Sequence, residues 1–126
     1  MKSPLRVSLF ILLCILLYVN PTMASVIAGP IVNPANGHQY FLLSPNTWTN
    51  AESEAVAMGG HLVTINDAAE NNWVWETFAP IQGGPLWIGL SDAAQEGMFV
   101  WASGEPATYF NWWCRSPGDC EPTNSG

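Results

Sequence analysis

Residues 86–124 read LWIGLSDAAQEGMFVWASGEPATYFNWWCRSPGDCEPTN. The apolar runs at 87–90 and 99–101 have the composition of short buried strands. An acidic loop with Asp92 and Glu96 lies between them, and a long polar loop containing Gly and Pro follows the second run. Strands that hold a loop of this composition are typical of a scaffold that presents a binding surface.

Two helices are predicted upstream of this stretch. Apolar residues recur at helical spacing over residues 48–58, which predicts the first helix. Its cap is either Thr47 or Thr49, since Thr49 with Glu52 matches a capping box. Gly59 can take the left-handed conformation that ends a helix.

The second helix is predicted to begin at Asp67, with Glu70 three residues later in the manner of a capping box, and to end at Pro80. Strands are predicted at 38–43 and 61–65. Strand, helix, strand, helix and then a β-rich second half predict one domain of the α+β class.

The first 24 residues have the pattern of a secretory signal peptide. Lys2 and Arg6 precede an apolar run at 7–19, and small residues lead up to Ala24. We expect cleavage after Ala24, which sends the protein to an extracellular or periplasmic location. The alternative is an uncleaved anchor, although the run is shorter than the roughly 20 residues that a membrane span needs.

The net charge of the chain limits the classes of partner that it can bind. The whole chain carries a net charge of −7, and without the first 24 residues Arg115 alone stands against ten acidic residues, which gives −9. Nucleic acids and anionic membranes require a positive surface, so we exclude both as partners. An acidic surface is compatible with the binding of cations.

Two cysteines remain after the leader. Cys114 and Cys120 are predicted to form a local disulfide, because exported proteins fold under oxidising conditions. The alternative is a metal-binding pair, for which only His38 and His61 offer imidazole ligands. The sequence contains no Gly-x-Ser-x-Gly or His-Glu-x-x-His motif and no recognisable acid/base couple, so we predict a protein that is not an enzyme.

Several short motifs occur in an order that resembles the C-type lectin-like domain. They are Trp48-x-x-Ala51, Gly59-Gly60-His61-Leu62-Val63, Trp87-Ile88-Gly89-Leu90, Phe99-x-Trp101, Gly104-Glu105-Pro106, Asn111-Trp112 and Glu121-Pro122. On this resemblance residues 25–36 are a lead-in and residues 37–126 are the domain. The family pattern continues with further acidic ligands, a Trp-Asn-Asp strand and closing strands, so we expect the C-terminal part of the domain to be missing from this sequence.

The resemblance implies two helices flanking antiparallel strands and a long ligand-binding loop that holds Ca²⁺. It places Asp92 and Glu96 at an auxiliary calcium site. Glu121 matches the glutamate that contacts both the principal calcium and the sugar, and Asn124 matches an auxiliary ligand position. Thr123 stands where the family's Glu-Pro-Asn motif has asparagine, so this chain departs from both the mannose-type and the galactose-type motifs.

The same resemblance gives a sugar-binding set. Its members are Glu121, Thr123, Asn124 and Trp113, of which Trp113 is expected to stack on a sugar ring. Ala55 occupies the usual place of a helix cysteine, so the disulfide from the first helix to the last strand cannot form.

The expected function is therefore that of a secreted module that binds carbohydrate or glycoprotein with the help of calcium. A calcium-independent module for protein interaction or structure is the first alternative. The second is an incomplete fragment that binds nothing.

Overall fold

The computed structural model describes residues 26–117 and 119–120, of which Asp119 is described by its backbone alone. The chain opens with an antiparallel pair, β1 (Val26–Val32) and β2 (Gln39–Leu43), whose register pairs Val32 with Gln39 and Val26 with Leu43. The sequence predicts a lead-in without regular structure at 25–36, and β1 differs from this expectation. Gly29 and Pro30 interrupt the strand pattern there, and pairing with β2 supplies the order that the local sequence does not indicate.

Helix α1 spans Trp48–Ala57. The hydroxyl of Thr47 accepts a hydrogen bond from the backbone N–H of Asn50 at 3.3 Å, so Thr47 is the cap. Ala51 and Ala55 form its buried face. Gly59 has a φ of 88°, which confirms the predicted left-handed end.

Helix α2 spans Ala68–Gln82. Its cap is Asp67 as predicted, since a carboxylate oxygen accepts from the N–H of Glu70 at 2.8 Å. The prediction that Pro80 ends this helix is wrong. A proline in the last turn removes only one hydrogen bond, and the helix continues to Gln82 and ends at Gly83, which has a φ of 74° and donates to the carbonyl of Ala79.

The second half contains two short antiparallel pairs. β3 (Leu90–Ser91) pairs with β4 (Val100–Trp101), and β5 (Cys114–Ser116) pairs with β6 (Asp119–Cys120). The predicted strands at 87–90 and 99–101 are thus shorter and shifted.

The strand predicted at 61–65 does not form. Its backbone approaches the next chain segment at one point, where the N–H of Gly89 donates to the carbonyl of Val63 at 2.9 Å, and one bond makes no ladder. The apolar pattern of this segment still indicated burial correctly, because Ile65 is only 3% exposed. Together the two helices and the small antiparallel pairs confirm the α+β class.

The core joins both halves of the chain. Its buried residues come from β2, the segment after α1, α2 and β4, and they are Leu42, Ile65, Val74, Phe78 and Trp101. Neither helix in the described part of the chain has the length and apolarity that a membrane crossing requires.

Two indole N–H groups fasten the start of α1 to the segment before β3. Trp48 Nε1 donates to the carbonyl of Ile88 at 2.8 Å, and Trp87 Nε1 donates to the carbonyl of Asn46 at 3.0 Å. We call this reciprocal pair the indole clasp. It holds the segment that leads into the Asp92 loop against the first helix.

Candidate ligand-binding loops

A tight turn positions the first two predicted calcium ligands. The carbonyl of Asp92 accepts from the N–H of Gln95 at 3.0 Å, and its carboxylate Oδ2 accepts from the N–H of Gly97 at 3.1 Å. Gly97 has a φ of 78°, which a side chain would disfavour. These contacts fix the half-buried Asp92 carboxylate, while the Glu96 side chain on the same turn is exposed.

The chemistry of this turn suits a hard cation. Asp92 and Glu96 offer only carboxylate oxygens, which calcium prefers, but calcium takes six to eight oxygen ligands. Among the described residues, no three acidic, histidine or cysteine side chains converge into a metal-binding group. Glu121 and Asn124, the other predicted ligands, and Thr123 of the sugar-binding set lie outside the described residues.

The long loop after β4 is anchored at its start by the core. Ala107 and Tyr109 are half-buried and pack against the core cluster, whereas Thr108 and Phe110 point to solvent. From Phe110 onward the alternation stops, and residues 110–117 are all exposed. The loop therefore presents its aromatic run outward from a fixed base.

Aromatic packing connects the Asp92 turn to the long loop. The ring centroid of Phe99, just after the turn, lies 5.0 Å from that of Trp112. Phe110 stacks on the same indole at 5.5 Å. Trp112 is 37% exposed and Trp113 is 62% exposed, so Trp113 is the freer of the two indoles.

A disulfide closes the far end of the loop. Cys114 and Cys120 are bonded and face each other in the β5–β6 hairpin, which confirms the disulfide prediction and leaves neither thiol for a metal. The guanidinium carbon of Arg115 lies 5.8 Å from the ring centroid of Trp113, within the range of a cation–π interaction. The hairpin thus displays a cation and an aromatic ring side by side.

A separate polar cluster is buried at the start of α2. The Glu70 carboxylate accepts from the Tyr40 hydroxyl at 2.7 Å, from the Asn66 N–H at 2.9 Å and from Asn36 Nδ2 at 3.4 Å. Burial raises the pKa of Tyr40, and the hydrogen bond to Glu70 raises it further. Each partner belongs to a different segment, so this cluster ties those segments together, and Tyr40, Asn66 and Glu70 also line a neighbouring groove.

A large groove lies next to this polar cluster. It has a volume of about 600 Å³ and runs along β2, between the buried faces of both helices and the segment after α1. None of Asp92, Glu96 or Trp113 lines it. We therefore place the candidate site on the loops and not in this groove.

Arg115 is the residue of the loop surface that sequence reasoning missed. A signal was present, because Arg115 is the only lysine or arginine after the first 24 residues and stands two positions from Trp113. The contact between the two side chains could not be predicted, since it depends on the local geometry of the hairpin.

Comparison with known proteins identifies a family for most of this chain. The model of the Lectin C-type domain family matches residues 44–126. The chain is 38% identical over 90 residues to an alpha-N-acetylgalactosamine-specific lectin of Patiria pectinifera, with 65% of this chain and 54% of that protein covered.

Two further relatives show the range of the similarity. Lectin BRA-3 of Megabalanus rosa is 32% identical over 94 residues, with 72% of this chain and 56% of that protein covered. A type-2 ice-structuring protein of Hemitripterus americanus is 30% identical over 80 residues, with 64% and 47% covered. The chain thus spans about half the length of these relatives.

Proposed function

Since this chain belongs to the family of C-type lectin domains, we propose that it is an exported carbohydrate-binding module that recognises sugars with the help of calcium. One observation carries the proposal. The Asp92 turn and the exposed aromatic face of the long loop are joined through the Phe99–Trp112 contact, so acidic and aromatic groups belong to one loop assembly. Membership of a lectin family supports a binding domain and not an enzyme.

Calcium is proposed to bind through Asp92 and Glu96 on the turn and through Glu121 and Asn124 further along the chain. The fixed Asp92 carboxylate supports this assignment, because one of its oxygens is held by Gly97 and the other has no hydrogen-bond partner in the described part of the chain. When bound, the ion supplies coordination sites that vicinal hydroxyls of a sugar can fill. The protein's own task is to hold carboxylate oxygens in position before the ion arrives.

The sugar is proposed to contact Glu121, Thr123, Asn124 and Trp113. The exposed indole of Trp113 supports this assignment, because aromatic faces give a large apolar contact at little entropic cost. The names of the relatives from Patiria pectinifera and Megabalanus rosa also support a lectin function. Carbohydrates and glycoproteins are the proposed partners.

The test measures thermal stability and sugar retention with calcium and with chelator. At a hundredfold excess over Kd, a ligand stabilises the folded state by about 2.7 kcal/mol, which raises Tm by roughly 10–20 °C in a domain of this size. We expect that rise, together with loss of retention on an immobilised sugar when chelator is added. Unchanged melting and unchanged retention would refute calcium-assisted recognition.

A matched pair of variants localises the ion. Asp92→Asn and Glu76→Gln each remove one negative charge, but Glu76 is an exposed residue of α2 away from the turn. Asp92→Asn should weaken calcium binding about tenfold or more through loss of a charged ligand. Glu76→Gln should leave it within about twofold, because exposed charges at a distance are screened. Equal effects of the two variants would contradict the assignment.

A second candidate is a calcium-independent module for protein interaction. It is favoured by Thr123, which stands where the family's Glu-Pro-Asn motif has asparagine. A glycan array probed with and without calcium separates the two candidates. No glycan signal in either condition, together with specific retention of a protein partner, would favour the second.

Export is proposed from the leader at residues 1–24. The secreted or periplasmic protein should begin at Ser25, which N-terminal sequencing of material from the culture medium or periplasm can establish. Recovery of the protein with Met1 in the membrane fraction would support the uncleaved anchor.

A further inference from the structure

We propose that the Trp113–Arg115 face of the β5–β6 hairpin binds the negatively charged group of an acidic sugar, one that carries a carboxylate or a sulfate. This inference rests on the proposed function, because it names the class of sugar that the loop assembly prefers. In this arrangement the indole of Trp113 contacts the sugar ring and the guanidinium of Arg115 contacts the anionic group.

The geometry presents both groups to solvent. Trp113 is 62% exposed, Arg115 is exposed, and the guanidinium carbon lies 5.8 Å from the indole centroid. The guanidinium carries five N–H donors, and those not directed at the ring can make a two-point contact with a carboxylate or sulfate. The Cys114–Cys120 disulfide limits the motion of the hairpin that carries the pair.

The neighbouring rings leave Trp113 free for a ligand. Phe99 and Phe110 both pack on Trp112, at centroid distances of 5.0 and 5.5 Å. Trp113 has no ring contact of this kind among the described side chains and contacts the cation instead. Of the two adjacent indoles, Trp112 therefore packs within the loop and Trp113 faces outward.

Arg115 is a basic residue in an otherwise acidic segment, so its place on the binding loop indicates which ligands the loop attracts. It is the only fixed positive charge after residue 24, in a segment with ten acidic residues. A single cation placed on the aromatic face of a binding loop, in so acidic a chain, provides one point at which an anionic ligand is attracted. Asp119 and Glu121 follow it closely in sequence, and calcium held at Glu121 under the proposed function offsets part of their charge.

The experiment compares acidic sugars with their neutral counterparts in the presence of calcium. Ligand-observed NMR titrations use glucuronate against glucose for the carboxylate, and galactose 6-sulfate against galactose for the sulfate. Charge-assisted contacts at exposed sites predict that at least one acidic sugar binds about three- to tenfold more tightly than its neutral partner. Comparison of the two pairs of sugars shows whether the protein prefers a carboxylate or a sulfate.

Five variants, three at the pair and two controls on α2, assign the effect to Trp113 and Arg115. Arg115→Gln should reduce the ratio of acidic to neutral affinity to about one, whereas Asn72→Asp, an exposed change on α2 with the same change in net charge, should preserve the ratio. Trp113→Ala should weaken both kinds of sugar about tenfold through loss of ring contact, whereas Trp75→Ala, which removes an indole that is 57% exposed on α2, should not. Arg115→Lys should retain part of the preference, because it keeps the charge and loses the planar fork.

The possible outcomes are distinct. Neutral sugars that bind as well as acidic ones, or a preference that survives Arg115→Gln and Arg115→Lys alike, would overturn this inference and leave the lectin function intact. Binding of no sugar at all would overturn both. Retention of an acidic peptide in place of acidic sugars would overturn the inference and favour the protein-interaction candidate.

Discussion

Gly89 permits a close approach between two backbone segments on which the loop assembly depends. A Cβ atom at this position would lie 2.6 Å from the carbonyl oxygen of Leu62 and 3.2 Å from that of Val63. Gly89 also donates to Val63 at 2.9 Å and accepts from the N–H of Ala102 at 2.8 Å, so its backbone bridges the segment after α1 to the segment after β4. Because the clash is with backbone, no side chain can rotate away to relieve it.

Gly89→Ala should therefore separate the two segments and strain both hydrogen bonds. Overpacking of this kind costs about 1–3 kcal/mol, and a clash with backbone belongs at the upper end of that range. A loss of about 3 kcal/mol lowers Tm by roughly 12–24 °C in a domain of this size. Thermal unfolding followed by circular dichroism measures the change.

Gly84→Ala is the matched control, since Gly84 has no atom within 4 Å of its added Cβ and no positive φ. It should leave Tm unchanged or raise it slightly, because alanine restricts the unfolded chain. A Gly89→Ala variant that melts within about 2 °C of the Gly84→Ala variant would refute the close-approach argument.

Three further predictions concern other parts of the chain. Glu70→Gln should destabilise the fold by about 1–3 kcal/mol in chemical denaturation, because an amide cannot accept from every donor around that buried carboxylate. The pKa of Tyr40 is raised above its usual 10.0, so its contribution to stability is complete below that pH and is lost as the pH rises through the folded-state pKa. Tyr40→Phe should remove this alkaline loss, and a persistent loss in the variant would contradict the assignment. Joint replacement of Cys114 and Cys120 by serine should weaken sugar binding with little change in Tm, because the hairpin packs outside the core. A large fall in Tm with unchanged sugar affinity would show that the bridge serves the fold.

Local patterns were sufficient for the helices. The apolar spacing of α1, the Asp67 cap and the left-handed Gly59 all depend on residues close in sequence, and the structure confirms each of them. The prediction that α2 ends at Pro80 was wrong because proline is tolerated in the last turn of a helix, where few intrahelical hydrogen bonds remain to be lost. The family itself was correctly inferred from the order of short motifs, and the domain match at 44–126 confirms it.

Pairing between distant segments was the harder problem. Gly29 and Pro30 interrupt the β-branched residues of β1, so its order comes from pairing with β2. The 61–65 segment is apolar but forms no ladder with another described strand. At the candidate site the disulfide was predicted correctly. The contact of Arg115 with Trp113 was not, because i, i+2 neighbours meet only in particular backbone geometries.

The indole clasp has a consequence for how this chain can change in length. Its two hydrogen bonds join residues 40 or 41 positions apart, and so they close a ring that contains both helices. Closing a ring becomes only slightly more costly as it grows, by about 0.6 kcal/mol for each doubling of its length. The connector at 83–86 can therefore accept inserted residues at small energetic cost, provided that Trp48 and Trp87 keep their carbonyl partners.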